Sequence, residues 1–439
     1  MARPSDPKPT DRLRVRRCRP SRACPRACRR GFTVIELIVA MTLGLIVAMA
    51  AFALARNASQ LFLHEARISG SRLGAVLGLT RLQEDLRRAS LQSSPNAKLD
   101  PSVCAYSVTW PAALKDLAGI RIEESGSSVR HPADLKVSTD AGLTPDALIV
   151  GGMLASTEHY SVAALEPTGG GGYDIFLELD GAYWRTKLAA QSGGSGLDRA
   201  FAKGRYVRVV DADGKSGFGT ITGFDDSGTK PRVSIGNTPA LAKREKTVVC
   251  GCEGHCTGAL ISPITRALYD LRAVTAAAYP KYAGIHSTAA LDAAAKYYKG
   301  PVVPARTELV RVELDVDDAE IAGSLEVVAE YAVDLKFGVT VTKPGSAPDY
   351  TPVVTRLAFG DKAVYAQTAK PTDNGNPQYV SAVQVRLSTR APFGDRRVGL
   401  AKTENGGALR IKIGGPLEFA RLSTLSTEVY LSNQAAVDW

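Results

Sequence analysis

The residue with the largest chemical consequence is Glu36, the one charged residue between Phe32 and Ala55. A carboxylate inside an apolar helix costs about 2.5–3.5 kcal/mol on membrane-insertion scales, so it indicates a function. If the chain is cut between Gly31 and Phe32, the new α-amine of Phe32 lies four residues, about one helical turn, from Glu36. We therefore expect the amine and the carboxylate to neutralise each other, within one chain or between neighbouring chains.

The apolar run that carries Glu36 is long enough to span a membrane. It covers residues 32–55, and at about 1.5 Å per residue a helix of this length crosses the ~30 Å hydrocarbon layer. Arg29 and Arg30 adjoin its start, which predicts a cytoplasmic leader and a periplasmic head. Two alternatives remain open from the residues alone: cleavage as a secretory signal after Ala55, and an anchor that is never processed.

The stretch Arg30-Gly31-Phe32-Thr33-Val34-Ile35-Glu36-Leu37 resembles the N-terminal motif of type IV prepilins and of type II secretion pseudopilins. The resemblance implies that a prepilin peptidase cuts after Gly31 and methylates Phe32, and that Glu36 docks one subunit against the next. It also implies a long N-terminal helix, half in the membrane and half packed on a head. The helix end, Arg81 to Ala89, is similar to that of PilW-type minor pilins and the related larger minor pseudopilins.

The charge of the chain is concentrated in the leader. Residues 1–31 contain Lys8, ten arginines and two aspartates, so they carry +9 of the formal net charge of +10. The mature chain is thus nearly neutral, which argues against nucleic acid as a partner without excluding a local patch. The sequence has neither the G-x-S-x-G motif of serine hydrolases nor the H-E-x-x-H motif of zinc proteases, and we expect no enzyme activity, cofactor or metal.

A second apolar pattern follows the membrane segment. Residues with helical spacing form one stripe, and they are Ile68, Ala75, Leu79, Leu82, Leu86 and Ala89. With no proline before Pro95, they predict a single helix over residues 32–94, with Arg81 and Asp85 paired on its exposed side. Glycines at 70, 74 and 78 predict either close packing under the head or a smooth, softened face.

Residues 95–439 are predicted to form a large, mainly antiparallel β-rich head, which makes the fold class α+β. Alternating segments predict strands at 175–179, 206–210, 309–314, 333–337, 383–387 and 409–413. We expect one β-rich part over residues 95–257 and a second over 301–439. The Ala-, Leu- and Tyr-rich residues 258–300 predict a helical insertion between them.

Four cysteines lie outside the leader, at Cys104, Cys250, Cys252 and Cys256. In an oxidising periplasm they are disulfide candidates, with three possible pairings. His255 and the three clustered thiols could instead hold zinc, and free thiols are a third alternative.

Two classes of function fit these observations. The first is a structural minor pilin or pseudopilin in a type IV pilus or a type II secretion pseudopilus, in an initiating or tip complex. Its partners would be other pilins, the prepilin peptidase and methyltransferase, the inner-membrane assembly platform and the lipid around residues 32–55. The alternative is an adhesive or DNA- or surface-binding module displayed at the tip of the same filament.

Overall fold

The computed structural model describes residues 32–104, 106–107, 109–115, 117–189, 196–228, 230–241, 258–275, 279–282, 306–345, 351–357, 376–392, 394, 410–413 and 419–434. The side chains at positions 60, 63, 64, 66–68 and 71 are outside this description. By its contacts the chain divides into two units, Met1–His64 and Glu65–Trp439. The first unit contains the start of one helix, and the second contains the end of that helix and the β-rich head.

Helix α1 runs from Val34 to Arg87. It ends before the limit of the predicted range 32–94, because Ser90 and Gln92 adopt left-handed backbone conformations with φ of 60° and 52°. The amide of Ser90 donates to the carbonyl of Gly151 at 2.8 Å instead of continuing the helical pattern. The helix therefore stops where its backbone begins to bind the head.

Ten strands of the described residues form the first sheet of the second unit. They are β1 (Ile120–Glu123), β2 (Ala147–Gly152), β3 (Tyr160–Pro167), β4 (Tyr173–Leu177), β5 (Tyr206–Val210), β6 (Ser216–Asp225), β7 (Arg232–Ile235), β8 (Leu260–Arg272), β9 (Glu308–Leu314) and β10 (Glu326–Ala329). The strand order is β1-β2-β8-β3-β4-β7-β6-β5, with β9 also on β8 and β10 on β9. All these pairings are antiparallel.

Part of this sheet closes on itself. Strand β8 pairs with β3 through Tyr160 and Ile261 and with β5 through Tyr206 and Ile264, so β8, β3, β4, β7, β6 and β5 form a ring. Closure pairs the backbone groups that an open edge would expose. A hydrophobic cluster that includes Tyr160, Ile175, Val207, Val233 and Ile261 belongs to these strands.

The second sheet has five strands in the described part of the chain. They are β11 (Ala332–Lys343), β12 (Val353–Leu357), β13 (Val380–Arg390), β14 (Arg410–Lys412) and β15 (Phe419–Tyr430), in the order β12-β11-β13-β15-β14. Each neighbouring pair is antiparallel. The prediction of an α+β chain with a mainly antiparallel β-rich head is thus confirmed.

Among the described residues, five short helices lie between α1 and the first strand or between later strands. They are α2 (Ala112–Lys115), α3 (Gly126–Arg130), α4 (Lys136–Asp140), α5 (Gly181–Leu188) and α6 (Gly196–Ala200). Pro280–Tyr282 and Pro377–Tyr379 form single 3-10 turns. The cap of α5 is Asp180, whose carboxylate accepts a hydrogen bond from the amide of Tyr183 at 2.9 Å.

The central core joins α1 to both sheets. The helix contributes Ala75, Leu79, Leu82, Leu86 and Ala89, which are all buried. The sheets contribute residues such as Leu148, Tyr269, Leu309, Phe337 and Val385 to the same cluster. The predicted stripe is confirmed at these five helix positions, while the side chain of Ile68 lies outside the described residues.

The helical insertion predicted for residues 258–300 is wrong at its beginning. Leu260–Arg272 is strand β8, and twelve of its thirteen residues are buried. Strand β8 is paired with other strands on both edges, and its side chains are buried on both faces. Its sequence is therefore a largely apolar run that lacks the polar–apolar alternation of a half-buried strand. Such a run resembles a buried helix in sequence. Most of the remaining predicted insertion, residues 283–300, lies outside the described residues.

Candidate functional site

The first candidate site is the start of α1, where Thr33 and Glu36 cap the helix reciprocally. The amide of Thr33 donates to Glu36 Oε2 at 3.0 Å, and the amide of Glu36 donates to Thr33 Oγ1 at 3.2 Å. The Thr33 hydroxyl also donates to Glu36 Oε2, at 3.1 Å. This is a capping box, in which two amides that the helix leaves unpaired are satisfied by side chains.

The capping box gives Glu36 a partner that the sequence analysis missed. We expected its carboxylate to find a partner only in the Phe32 amine, although the Thr-x-x-Glu spacing is itself the signal for a cap. The Glu36 carboxylate accepts both of its hydrogen bonds from Thr33 on Oε2. Its other oxygen, Oε1, has no hydrogen-bond partner among the described residues. A carboxylate accepts on both oxygens, so Glu36 can cap its own helix and still receive an amine.

The processing residues lie at the edge of the described chain. Phe32 is the first described residue, and 86% of its surface is exposed. Gly31 is outside the described residues, so cleavage after it stays a prediction. Thr33 and Glu36 nevertheless fix the helix start immediately beside the proposed cut.

The segment that follows has the length and composition of a membrane span. Val34–Ser59 covers 26 residues, and its most apolar window has a mean hydropathy of 2.6 with no part buried within the chain. Apolar side chains such as Phe52 and Leu54 are more than 70% exposed. A surface of this kind needs lipid or neighbouring helices around it.

The second candidate site is a buried charge network that holds α1 in the head. Asp85 is completely buried, and its Oδ2 accepts hydrogen bonds from the Tyr269 hydroxyl and from Arg311 Nε, each at 2.7 Å. Arg81 Nη1 lies 3.5 Å from Asp85 Oδ1. Tyr269 and Arg311 are direct partners on the adjacent strands β8 and β9, which places both side chains on the face toward α1.

The placement of Asp85 corrects the sequence analysis. Asp85 was predicted to pair with Arg81 on the exposed side of the helix, but it is in the core, where its nearest partners are Tyr269 and Arg311. Burial and the adjacent Asp85 carboxylate raise the pKa of Tyr269 well above its ordinary value. Burial opposes the charge of Arg311, but Asp85 and Tyr269 outweigh it and raise the pKa of this guanidinium.

A second ion pair continues the network along β9. Arg311 Nη1 lies 3.4 Å from Glu313 Oε1, and Glu313 accepts a hydrogen bond from Arg205. The side chains of Arg205 and Glu313 are each 5% exposed. A buried charge pair is costly to break, because removing one partner leaves the other unpaired.

The glycines at positions 70, 74 and 78 of α1 have different surroundings. A Cβ added at Gly78 would lie 2.8 Å from both Ala329 Cβ and the Val328 carbonyl oxygen, so strand β10 requires a glycine there. A Cβ at Gly70 or Gly74 would meet nothing within 4 Å. Close packing under the head therefore accounts for Gly78 and not for the other two.

The cysteines are only partly described. Cys104 is 3% exposed and takes part in a disulfide. Cys250, Cys252 and Cys256 fall outside the described residues, as does His255. The partner of Cys104 and the state of the three clustered thiols therefore stay predictions.

Residues 211–215 form the turn between β5 and β6. The Asp211 carboxylate accepts hydrogen bonds from the amides of Asp213 and Lys215.

Comparison with known proteins adds one finding at the N-terminus. The family model of the prokaryotic N-terminal methylation motif matches residues 26–52, which include Gly31, Phe32 and Glu36. No curated protein and no solved structure matches the chain. The match and the apolar helix together support a membrane-anchored protein of the prepilin-like class. Within that class they support a pilin or pseudopilin that a prepilin peptidase processes.

Proposed function

We propose that this chain is a structural minor pilin or pseudopilin subunit. A prepilin peptidase cuts it after Gly31, the amine of Phe32 is methylated, and α1 then assembles into a type IV pilus or a type II secretion pseudopilus. The observation that carries the proposal is the coincidence of the methylation motif over residues 26–52 with the apolar run over residues 32–55, whose single charge is Glu36.

The geometry of Glu36 supports its role in assembly. Its Oε2 holds the capping box with Thr33, while Oε1 has no hydrogen-bond partner among the described residues. In lipid an unpaired carboxylate and an unpaired amine are both costly, so each stabilises the other. The Phe32 amine, of the same chain or of its neighbour, is the partner that cleavage supplies.

The large head supports a low-copy position. The unit Glu65–Trp439 carries two sheets of ten and five strands. Subunits that pack closely along a shaft have little room for such a head, and an initiating or tip complex places it at the end of the filament. Before assembly the chain sits in the inner membrane with a cytoplasmic leader and a periplasmic head.

A substitution at Glu36 tests the proposal. Glu36→Leu should insert into the membrane at least as well as the wild type, because it removes an insertion cost of about 2.5–3.5 kcal/mol. Cleavage after Gly31 should persist, and incorporation into filaments should fall while the amount in the membrane holds. The readout is the ratio of filament to membrane protein in a host that has the peptidase.

Thr42→Leu is the matched control, because it also replaces a polar residue of the same span by leucine. Thr42 is exposed, and its hydroxyl donates only to the Val39 carbonyl of its own helix, at 3.0 Å. This variant should assemble like the wild type. If Glu36→Leu subunits also enter filaments at the wild-type level, docking through Glu36 is refuted.

A further inference from the structure

The head contains a cavity of about 670 Å³ whose wall is rich in arginine. Arg205 and Arg311 lie in its buried part, with side chains 5% and 2% exposed. Arg81, Arg199 and Lys281 also line it. The volume is within the range of small-ligand pockets, about 300–1,000 Å³.

The charges around the cavity do not balance. Two carboxylates of the wall, Glu313 and Glu326, face five cationic side chains. Glu313 is engaged by Arg205 and Arg311, and Glu326 lies 3.7 Å from Arg81. Behind the wall Asp85 also contacts Arg311 and Arg81, so the excess charge lies on Arg199 and Lys281. The cavity therefore keeps a surplus of positive charge in a partly desolvated site, where electrostatic attraction is stronger than in water.

Two of the cations have no counter-ion among the described residues. Arg199 and Lys281 are exposed, and neither has a carboxylate within 4.0 Å in the part of the chain that the structure describes. Lys281 Nζ lies 5.4 Å from the ring centroid of Tyr282. Both side chains can reorient toward a ligand at little cost, because they break no ion pair with any described residue.

The buried floor of the cavity also has a hydrogen-bond donor that is not used by the described residues. Arg205 donates to Glu313 and to the carbonyls of Arg199 and Ala200, yet its Nε has no hydrogen-bond partner among the described residues. Burial lowers the pKa of Arg205, although Glu313 opposes this effect. An anion in the cavity would stabilise the charged form of this arginine.

The remaining wall is mostly apolar, with Ser324 as its polar member. Ala202, Ile321 and Leu325 line the cavity beside the cations, and Gly323 adds no side chain. Apolar groups of this kind accommodate the carbon skeleton of a ligand, while guanidinium groups match the planar geometry of carboxylates and the oxygens of phosphates.

We propose that this cavity binds a small organic ligand that carries two or more anionic groups, either carboxylates or phosphate esters. The buried arginines form its floor, and Arg199 and Lys281 close on the ligand from the rim. The site lies within the unit Glu65–Trp439 and does not depend on filament assembly, so its test is separate from the test at Glu36.

The test is calorimetric titration of the full processed chain in a neutral detergent. The probes are citrate and fructose 1,6-bisphosphate, with triethyl citrate as the uncharged analogue and tetraglutamate as an acidic peptide. We expect at least one of the two small anions to bind, no binding of triethyl citrate, and weaker affinity as salt increases. Comparing citrate with the bisphosphate distinguishes a carboxylate ligand from a phosphate ester.

The variants remove two rim charges without touching a buried pair. The combined change Arg199→Gln and Lys281→Gln should weaken binding about tenfold or more. The matched control is Lys98→Gln with Lys230→Gln, two exposed lysines that do not line the cavity, and it should change affinity less than about twofold. The proposal is overturned if neither small anion binds, if only tetraglutamate binds, or if both double variants weaken binding equally.

Discussion

Replacing Asp85 by asparagine should destabilise the head strongly. Asparagine keeps the size of the side chain but removes the charge that Arg311 and Tyr269 contact at 2.7 Å. Breaking one side of a buried ion pair costs about 3–5 kcal/mol. Because Glu313 stays 3.4 Å from Arg311 and still compensates part of its charge, we expect the lower end, about 3 kcal/mol of the free energy of unfolding.

Urea unfolding followed by tryptophan fluorescence measures this loss. The three tryptophans, at positions 110, 184 and 439, all belong to the unit Glu65–Trp439, so the signal reports that unit. Glu84→Gln is the matched control on the same helix. Glu84 is 51% exposed and lies 3.7 Å from Arg81, so its loss should change stability by less than about 0.5 kcal/mol.

A double variant separates the cost of an unpaired charge from the loss of packing. Asp85→Leu combined with Arg311→Met removes both charges and should recover most of the stability that Asp85→Leu alone loses. Equal effects of Asp85→Asn and Glu84→Gln would refute the account of Asp85 as a buried anchor. The account would also be refuted if the double variant lost as much stability as the two single variants, Asp85→Leu and Arg311→Met, lose together.

Three further predictions concern other parts of the chain. Gly78→Ala should destabilise the head by about 1–3 kcal/mol through overpacking against strand β10, whereas Gly74→Ala should be neutral or stabilising, and both are measured by urea unfolding. Cys104→Ser should lower stability by about 2–4 kcal/mol and expose a new free thiol to alkylation without reductant, and an unchanged thiol count would contradict the disulfide. Thr33→Val should weaken the helix start by about 0.5–2 kcal/mol, seen as faster amide exchange at residues 34–36, while Thr33→Ser should not.

The sequence predicted well those elements whose signal is local and periodic. The buried stripe of α1 and the six strand segments correspond to described elements, because one face of each carries the pattern. Even so, strand β9 is buried along its whole length, including Glu308, Arg311 and Glu313, although its alternation predicted a half-buried strand. Alternation identified the strand and did not reveal that its polar side would be covered.

Asp85 shows why the buried network could not be predicted. The helical spacing rule sees only neighbours along the helix, and it selected Arg81. The partners that bury Asp85 are Tyr269 and Arg311, which are 184 and 226 residues away in the chain. Only the pairing of β8 with β9 brings them to one helix face.

The start of α1 shows the opposite case. The capping box uses Thr33 and Glu36, three residues apart, so its signal was present in the sequence. The prediction for Glu36 rested only on its charge in the membrane, although the same side chain also caps the helix. The cationic cavity, in contrast, depends on residues from α1, α6, β9 and a 3-10 turn, and no local pattern indicates it.

The most direct test of the central claim is the N-terminus of the mature protein. The chain should be expressed in a host that has a prepilin peptidase, and its terminal peptide measured by mass spectrometry. Our account predicts a first residue Phe32 with a methylated amine. A chain that begins at Arg56, or one that retains the leader in the presence of active peptidase, would contradict it.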